Sequence, residues 1–213
     1  MMKTKIANSL LLLCSLFASG CSVPQPSMSA RTNICQLFNE QPSWYKVMRK
    51  AEIKHQVPLA LTASIIQQES SFQQSAKPPY STYLLGIIPW QRASSAVGYA
   101  QAIDVTWQRY LDENNRSSWW ASRESFSDSV DFVGWYVHDI MNRTHLPPTS
   151  PKQIYLAYHE GVGGYTRGSY KQKSELDAIS TQVQNRAILY QKQWDACRQS
   201  VRARHPIFTL LHG

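Results

Sequence analysis

Glu69 is the residue of this chain best placed to exchange a proton. It follows Thr62, Ile65 and Ile66 by seven, four and three residues, so the four side chains share one face of a helix predicted over residues 58–70. A carboxyl group held against apolar side chains loses hydration, and its pKa rises toward the range of a general acid near neutral pH. This spacing leaves open the alternative of a solvated glutamate near a helix end.

Helical periodicity dominates the chain around this residue, and strand-like alternation is scarce. We therefore predict a mainly α fold. Long aromatic loops over residues 76–97 and 114–122 are expected to form the walls of a cleft. The predicted helices cover residues 44–56, 58–70 and 102–111, then a segment capped by Ser127 with Val130 to Met141 on its apolar face, a segment from Pro151 that stops before Gly161, and a last segment marked by Ile179 to Trp194.

The first residues have the pattern of a secretory signal over residues 1–20. Lys3 and Lys5 precede an apolar run from Ile6 to Ala18 that is too short to span a bilayer. The signal ends in Ala-Ser-Gly-Cys, which resembles the lipobox of bacterial lipoproteins, with Ala18 where leucine is usual. This resemblance implies cleavage before Cys21 and a lipid-modified amino terminus, and a plain secreted protein is the alternative.

Ser22 lacks the acidic character of the inner-membrane retention signal of enteric bacteria. We therefore expect the chain at the periplasmic face of the outer membrane, anchored by lipid. A soluble periplasmic protein and an inner-membrane anchor are the alternatives.

Three further segments follow the signal. Residues 21–41 are rich in Pro, Ser and Gln and are predicted to be a tether. Residues 42–198 have the length of one domain with a single core, and residues 199–213 form a basic tail.

The cysteines fit an oxidising compartment. Cys14 leaves with the signal and Cys21 is the predicted lipidation site, so Cys35 and Cys197 remain as a predicted disulfide. Two unlinked thiols are the alternative. The spacing of these cysteines does not match a zinc site.

Three segments, QQESSF, GYAQAIDVTWQRY and IYLAYHEGVGGY, resemble in that order the signature segments of lysozyme-like lytic transglycosylases. The resemblance covers roughly residues 44–194 and implies a lysozyme-like fold. His159 stands where the family usually has asparagine, and the segment between Glu69 and Gly98 is expanded. The positions that match the family are Glu69 and Ser70, Gly98 and Gln101, and Ala157 and Tyr158.

The resemblance implies cleavage of the bond between N-acetylmuramic acid and N-acetylglucosamine in peptidoglycan glycan strands, without cofactor or metal. Glu69 would first protonate the departing oxygen and then accept the proton of the muramyl 6-hydroxyl, which leaves a 1,6-anhydromuramyl end. A hydrolytic muramidase and a non-catalytic peptidoglycan-binding lipoprotein are the alternatives. The pair His159-Glu160 lacks the second histidine of a zinc-binding H-E-x-x-H motif.

Several residues are predicted to bind substrate beside Glu69. Each has a structural alternative: a helix cap, a core aromatic ring, a turn, or a solvated side chain. These residues are Ser70 for the muramyl substituent, Gly98 and Gln101 for the cleft wall and sugar amides, Tyr158 to steer Glu69, Glu160 for support, and Tyr165 with Tyr170, Trp119 and Trp120 for stacking on sugars.

The chain is basic, with a formal net charge of +8, or about +6 once the two lysines of the signal are removed. Such charge suits anionic lipid headgroups or the carboxylates of peptidoglycan. The sequence carries no RNA-binding aromatic motif and no DNA-reading module, so we expect no nucleic-acid partner.

Overall fold

The protein is mainly helical, as predicted. The structure, a computed structural model, describes residues 25–78, 80–83, 88–92 and 94–206, with only the backbone described for residues 80–83 and 88–92. The predicted signal, Cys21 and residues 207–213 lie outside these ranges. The helices are α1 (Ile34–Glu40), α2 (Pro42–His55), α3 (Leu59–Ser70), α4 (Asp104–Glu113), α5 (Phe126–Thr144), α6 (Pro151–Arg167) and α7 (Ser174–Arg204), and the strands are β1 (Tyr80–Tyr83) and β2 (Ile88–Arg92).

Helix α3 lies at the centre of the core. Every residue from Leu59 to Ile66 is buried, which is the mark of a helix enclosed on all sides. It packs mainly against α7, α2 packs against α5, and α6 packs against both α5 and α7. Full burial of Ile65 and Ile66 contributes about 1.5–3 kcal/mol each, so the helix that carries Glu69 is held firmly in place.

The tether predicted over residues 21–41 was wrong where the structure describes it. A 3₁₀ turn over Ala30–Thr32 and helix α1 occupy most of this segment. Ile34, Leu37 and Phe38 are fully buried because their helical spacing forms an apolar stripe, and α1 packs against α7. Helix α7 also extends to Arg204, into the predicted tail.

A disulfide joins Cys35 to Cys197, as predicted from the cysteine count. Hydrogen bonds reinforce this connection between the amino-terminal segment and α7. The Gln193 Nε2 donates to the Thr32 carbonyl at 3.1 Å, and the Gln193 Oε1 accepts from the Ile34 backbone N–H at 3.0 Å. The amino-terminal segment of the described chain is therefore fixed to its carboxy-terminal helix.

Two helix boundaries differ from the predictions. Ser125, not Ser127, caps α5, because the cap must precede the first helical residue; its Oγ accepts from the Asp128 N–H at 3.4 Å. Helix α6 does break at Gly161, where φ is 71° and ψ is 157°, but helical structure resumes and continues to Arg167. A glycine adopts this conformation without a steric penalty, so it bends the helix instead of ending it.

Strands β1 and β2 form an antiparallel hairpin within the loop predicted over residues 76–97. The register is irregular between Ser81 and Thr82. The part of the chain that the structure describes has no helix long and apolar enough to cross a membrane.

Candidate active site

Glu69 lies in the last turn of α3, and the residues after it explain why the helix ends there. Ser71 adopts a left-handed conformation with φ of 52°, and its N–H donates to the Gln67 carbonyl at 3.0 Å. Phe72 also has a positive φ of 60° and is buried against Trp44. Burial of the phenyl ring, worth about 1.5–3 kcal/mol, offsets part of the cost of two strained residues, about 1–3 kcal/mol each. Glu69 is therefore held at a rigid helix end.

The carboxyl group of Glu69 is desolvated. Its Oε1 is buried and has no hydrogen-bond partner among the described residues. Burial raises the pKa of Glu69 from 4.5 to about 7, and a hydrogen bond from Tyr155 acts in the opposite direction. A carboxyl with this pKa is partly protonated at neutral pH, so it can serve as an acid and, after losing its proton, as a base.

Tyr155, not Tyr158, is the hydrogen-bond partner of Glu69. Burial, then the charge of Glu69 and its hydrogen bond, raise the pKa of the Tyr155 hydroxyl, which keeps it a neutral donor. The third motif predicts this contact for Tyr158, but the Tyr158 hydroxyl donates to the Ala100 carbonyl at 2.8 Å. The signal for Tyr155 was its position three residues before Tyr158 on the same helical face.

Tyr158 nevertheless belongs to the site. Its ring packs against Tyr136 at 5.2 Å between centroids, and both side chains line the same cavity as Glu69. Burial, followed by the nearby charge of Glu69, raises the pKa of Tyr158 well above its ordinary value. Its bond to Ala100 fastens the turn over residues 97–102 beside the acid.

Gln101 closes that turn with its side-chain amide. The Gln101 Nε2 donates to the carbonyls of Ala76 and Gly98, both at 2.8 Å. Its two donor hydrogens are therefore engaged in the fold, and its Oε1 is the atom left for a ligand. Gln101 lines the cavity, in agreement with the prediction that this segment forms a wall.

Gly98 has a structural place in the wall and is not among the residues that line the cavity. Its φ is +78°, and a Cβ atom at this position would lie 1.8 Å from the Arg123 carbonyl oxygen. The Arg123 guanidinium donates in turn to the carbonyls of Ser95 and Ala102. Only glycine allows this close approach of the two loops.

Glu160 lines the same cavity, but its pKa is shifted in the opposite direction from that of Glu69. Burial by itself raises its pKa, but hydrogen bonds from Lys173, Ser169 and His159 outweigh burial and lower the pKa to about 2. The Lys173 Nζ lies 2.7 Å from Oε1, and the His159 Nδ1 lies 3.1 Å from the same oxygen. Glu160 is therefore ionised at neutral pH and has no proton to donate.

These side chains line a cavity of about 520 Å³. This volume lies in the range of sites that bind small molecules. The cavity brings together four predicted residues, Glu69, Gln101, Tyr158 and Glu160, with His159 beside them. Residues that the motifs did not predict for the site complete its wall: Ser94, Ala96, Ala102, Ile103, Thr106, Phe132, Tyr136 and Gly161.

Other predicted substrate contacts lie outside the lining of this cavity. Ser70 is buried, and its Oγ donates to the Ile66 carbonyl at 3.1 Å. Tyr165 stacks on Tyr170, with 5.3 Å between ring centroids. For Ser70 the observed contact matches the structural alternative, a bond to its own helix.

A larger apolar groove of about 690 Å³ runs along α7 and the starts of α3 and α6. It does not contain Glu69, the desolvated acid of the smaller cavity. We therefore place the candidate active site in the smaller cavity. Within the described residues, no group of His, Cys, Asp and Glu side chains is arranged to hold a metal ion.

Comparison with known proteins agrees with the mainly helical fold. The model of one protein family, described as a Transglycosylase SLT domain, matches residues 9–197. No curated protein matches the chain. The match covers most of the chain and contains all the residues that line the cavity. The chain therefore belongs to the transglycosylase SLT domain family, the lysozyme-like lytic transglycosylases.

Proposed function

We propose that this protein cleaves the β-1,4 bond between N-acetylmuramic acid and N-acetylglucosamine in peptidoglycan and leaves a 1,6-anhydromuramyl end. The observation that carries the proposal is the desolvated carboxyl of Glu69, with a pKa of about 7, at the wall of a cavity of about 520 Å³. Family membership supports glycan cleavage of this kind.

Glu69 supplies both proton transfers in the proposed reaction. As the neutral acid it donates its proton to the glycosidic oxygen, so the bond to the leaving sugar breaks without an alkoxide. The muramyl 6-hydroxyl then attacks the anomeric carbon, and the Glu69 carboxylate accepts the proton of that hydroxyl. No water is consumed, and the enzyme returns to its starting protonation state.

The environment of Glu160 supports a mechanism with one acid. Lys173, Ser169 and His159 all bind its carboxylate, and its pKa of about 2 keeps it ionised. A retaining glycosidase needs a second carboxylate free to attack carbon, and an inverting enzyme needs one free to bind water. Glu160 instead holds His159 and α6 in position.

Hydrolysis by water is the second candidate reaction, and one observation favours it. The Nδ1 of His159 bonds to the ionised Glu160, which makes Nδ1 the donor and leaves Nε2 as the basic atom of a side chain that lines the cavity. A histidine held in this way can take a proton from water.

The two reactions differ in the origin of one oxygen atom. We would digest purified sacculi in water labelled with the heavy isotope of oxygen and measure the masses of the released fragments by mass spectrometry. Anhydromuramyl ends without the heavy isotope support the proposal. Labelled reducing ends that disappear in His159→Asn favour hydrolysis. Sacculus binding with no released fragments at all favours the non-catalytic lipoprotein.

We propose further that Cys21 carries lipid and anchors the chain at the periplasmic face of the outer membrane. The four peptide units from Cys21 to Gln25, the first described residue, can span at most about 14 Å. The catalytic domain would then work close to the membrane surface. Fractionation of cell envelopes and the mass of the mature amino terminus, compared with Cys21→Ala, test this location.

A further inference from the structure

Two adjacent tryptophans are left in solvent. Trp119 is 90% exposed and Trp120 is 88% exposed. An exposed apolar pair of this size on a soluble domain usually marks a binding surface. The other tryptophans whose side chains the structure describes are all buried: Trp44, Trp107, Trp135 and Trp194.

The turn that carries this pair is fixed at both ends by Asp128. The Arg116 guanidinium donates to one carboxylate oxygen of Asp128, and the Ser122 N–H donates to the other at 3.0 Å. Between them, the N–H groups of Trp120 and Ala121 donate to the Ser117 carbonyl, both at 3.1 Å. The fold therefore presents the two indole rings on a preorganised turn, which reduces the entropy lost on binding.

This turn is joined to the wall of the candidate active site. The Arg123 Nη1, three residues after the pair, donates to the Ser95 carbonyl at 3.0 Å and the Ala102 carbonyl at 2.9 Å. Ala102 and Ile103 line the cavity, and Ile103 is 44% exposed. Val105, also exposed, follows on α4. Ile103, an exposed apolar residue of the cavity lining, thus directly follows the residue whose carbonyl Arg123 binds.

The charges near the pair favour contact with an uncharged surface. Arg116 is paired with Asp128, and Arg123 is paired with Asp104 at 2.8 Å. An element that binds an anionic membrane combines apolar side chains with unpaired cations. Sugar rings need no such charge, because their C–H faces pack on flat aromatic rings while their hydroxyls stay in water.

We propose that Trp119 and Trp120 form an outer binding site for the glycan strand, where sugar rings beyond those in the cavity stack on the two indoles. This inference rests on the proposed function, since it names the same polymer as ligand. The outer site would hold a long strand near the acid without taking part in bond cleavage. Short fragments that fill only the cavity would not reach it.

Equilibrium binding to purified sacculi tests the site, with the full chain carrying Glu69→Gln to prevent turnover and Cys21→Ala to prevent lipidation. Trp119→Ala/Trp120→Ala should bind about tenfold more weakly, the loss of two aromatic contacts. Trp119→Phe/Trp120→Phe should keep most of the binding, and Trp119→Leu/Trp120→Leu should not, because leucine lacks a flat face. Ile53→Ala, which removes another exposed apolar side chain, is the matched control and should leave binding unchanged.

Turnover separates this inference from the proposed function. With Glu69 intact, the double alanine variant should cleave a short soluble muropeptide oligomer as fast as the parent and cleave long strands more slowly. If the parent cleaves neither substrate, the proposed function fails. The comparison of sacculus binding among the tryptophan variants still tests the outer site. Unchanged sacculus binding overturns the inference. The inference is also overturned if the double alanine variant keeps its binding to sacculi but loses binding to phosphatidylglycerol vesicles. That result would make the pair a membrane contact.

Discussion

Glu69→Gln should stabilise the protein at alkaline pH and change its stability little at acid pH. Burial raises the pKa of Glu69 from 4.5 to about 7, so the folded state binds this proton more tightly than the unfolded state does. The free energy of unfolding therefore falls as pH rises from 4.5 to 7. At 1.36 kcal/mol for each pH unit, the loss reaches about 3 kcal/mol. The amide of glutamine does not titrate, so the variant escapes this loss.

Urea unfolding of the parent and Glu69→Gln at pH 4 and pH 8 measures the effect. We expect the variant to gain up to about 3 kcal/mol on the parent between these two pH values. If the difference in the free energy of unfolding between the variant and the parent is the same at pH 4 and pH 8, Glu69 is not a desolvated acid. A gain at pH 4 that disappears at pH 8 would lead to the same conclusion.

Glu160→Gln is the matched control with the opposite sign. The pKa of Glu160 is lowered from 4.5 to about 2, so its carboxylate stabilises the fold above pH 4.5, and this stabilisation is lost as pH falls through 2. The variant should therefore be less stable than the parent at pH 8 and approach it in strong acid. When the urea assay is extended from pH 8 down to about pH 2, the two glutamates of one cavity should show opposite pH slopes.

Three further perturbations test the surroundings of the acid. Tyr155→Phe removes the hydrogen bond that lowers the pKa of Glu69, so that pKa should rise above 7. A hydrogen bond to a carboxylate is worth about 1.5–3 kcal/mol, so its loss should move the basic limb of the pH–rate profile to higher pH. A basic limb that does not move would contradict the contact between Tyr155 and Glu69. Gly98→Ala should destabilise the fold by about 3 kcal/mol or more because its Cβ meets a backbone oxygen at 1.8 Å, measured as a lowered Tm; an unchanged Tm would show that the turn relaxes freely. Reduction of the disulfide between Cys35 and Cys197, which closes a loop of 162 residues, should cost about 5 kcal/mol in urea unfolding, and Cys35→Ser/Cys197→Ser without reductant should match the reduced protein.

The acid and the segments around it could be predicted from the sequence because their signals are local. Helical spacing placed Glu69 on an apolar face, and the short motifs with Gln101 and Glu160 point to the cavity that these residues line. The pairing of Cys35 with Cys197 also needed only a count and a compartment.

The role of each side chain within a motif was harder to predict. Tyr155 and Tyr158 lie on one helical face, and the spacing cannot tell which hydroxyl reaches Glu69. That choice depends on the Ala100 carbonyl, which the turn after residue 97 brings within 2.8 Å of the Tyr158 hydroxyl. Gln101 likewise looked free to bind a sugar amide, whereas its donors bind backbone carbonyls of the wall.

Helix α1 was missed for a different reason. A helix of seven residues is not stable alone and gains its stability from packing, here against α7. The Pro, Ser and Gln around it made the composition typical of a linker. The apolar spacing of Ile34, Leu37 and Phe38 was the signal that could have revealed it.

The most direct test of the central claim is the release of muropeptides from sacculi by the parent and by Glu69→Gln, followed by mass spectrometry. We expect anhydromuramyl fragments from the parent. The variant should release them at least about 100-fold more slowly while still binding sacculi, because its amide keeps the shape of the acid but has no proton to exchange. Anhydromuramyl release by Glu69→Gln at the parent rate would show that another group performs the chemistry.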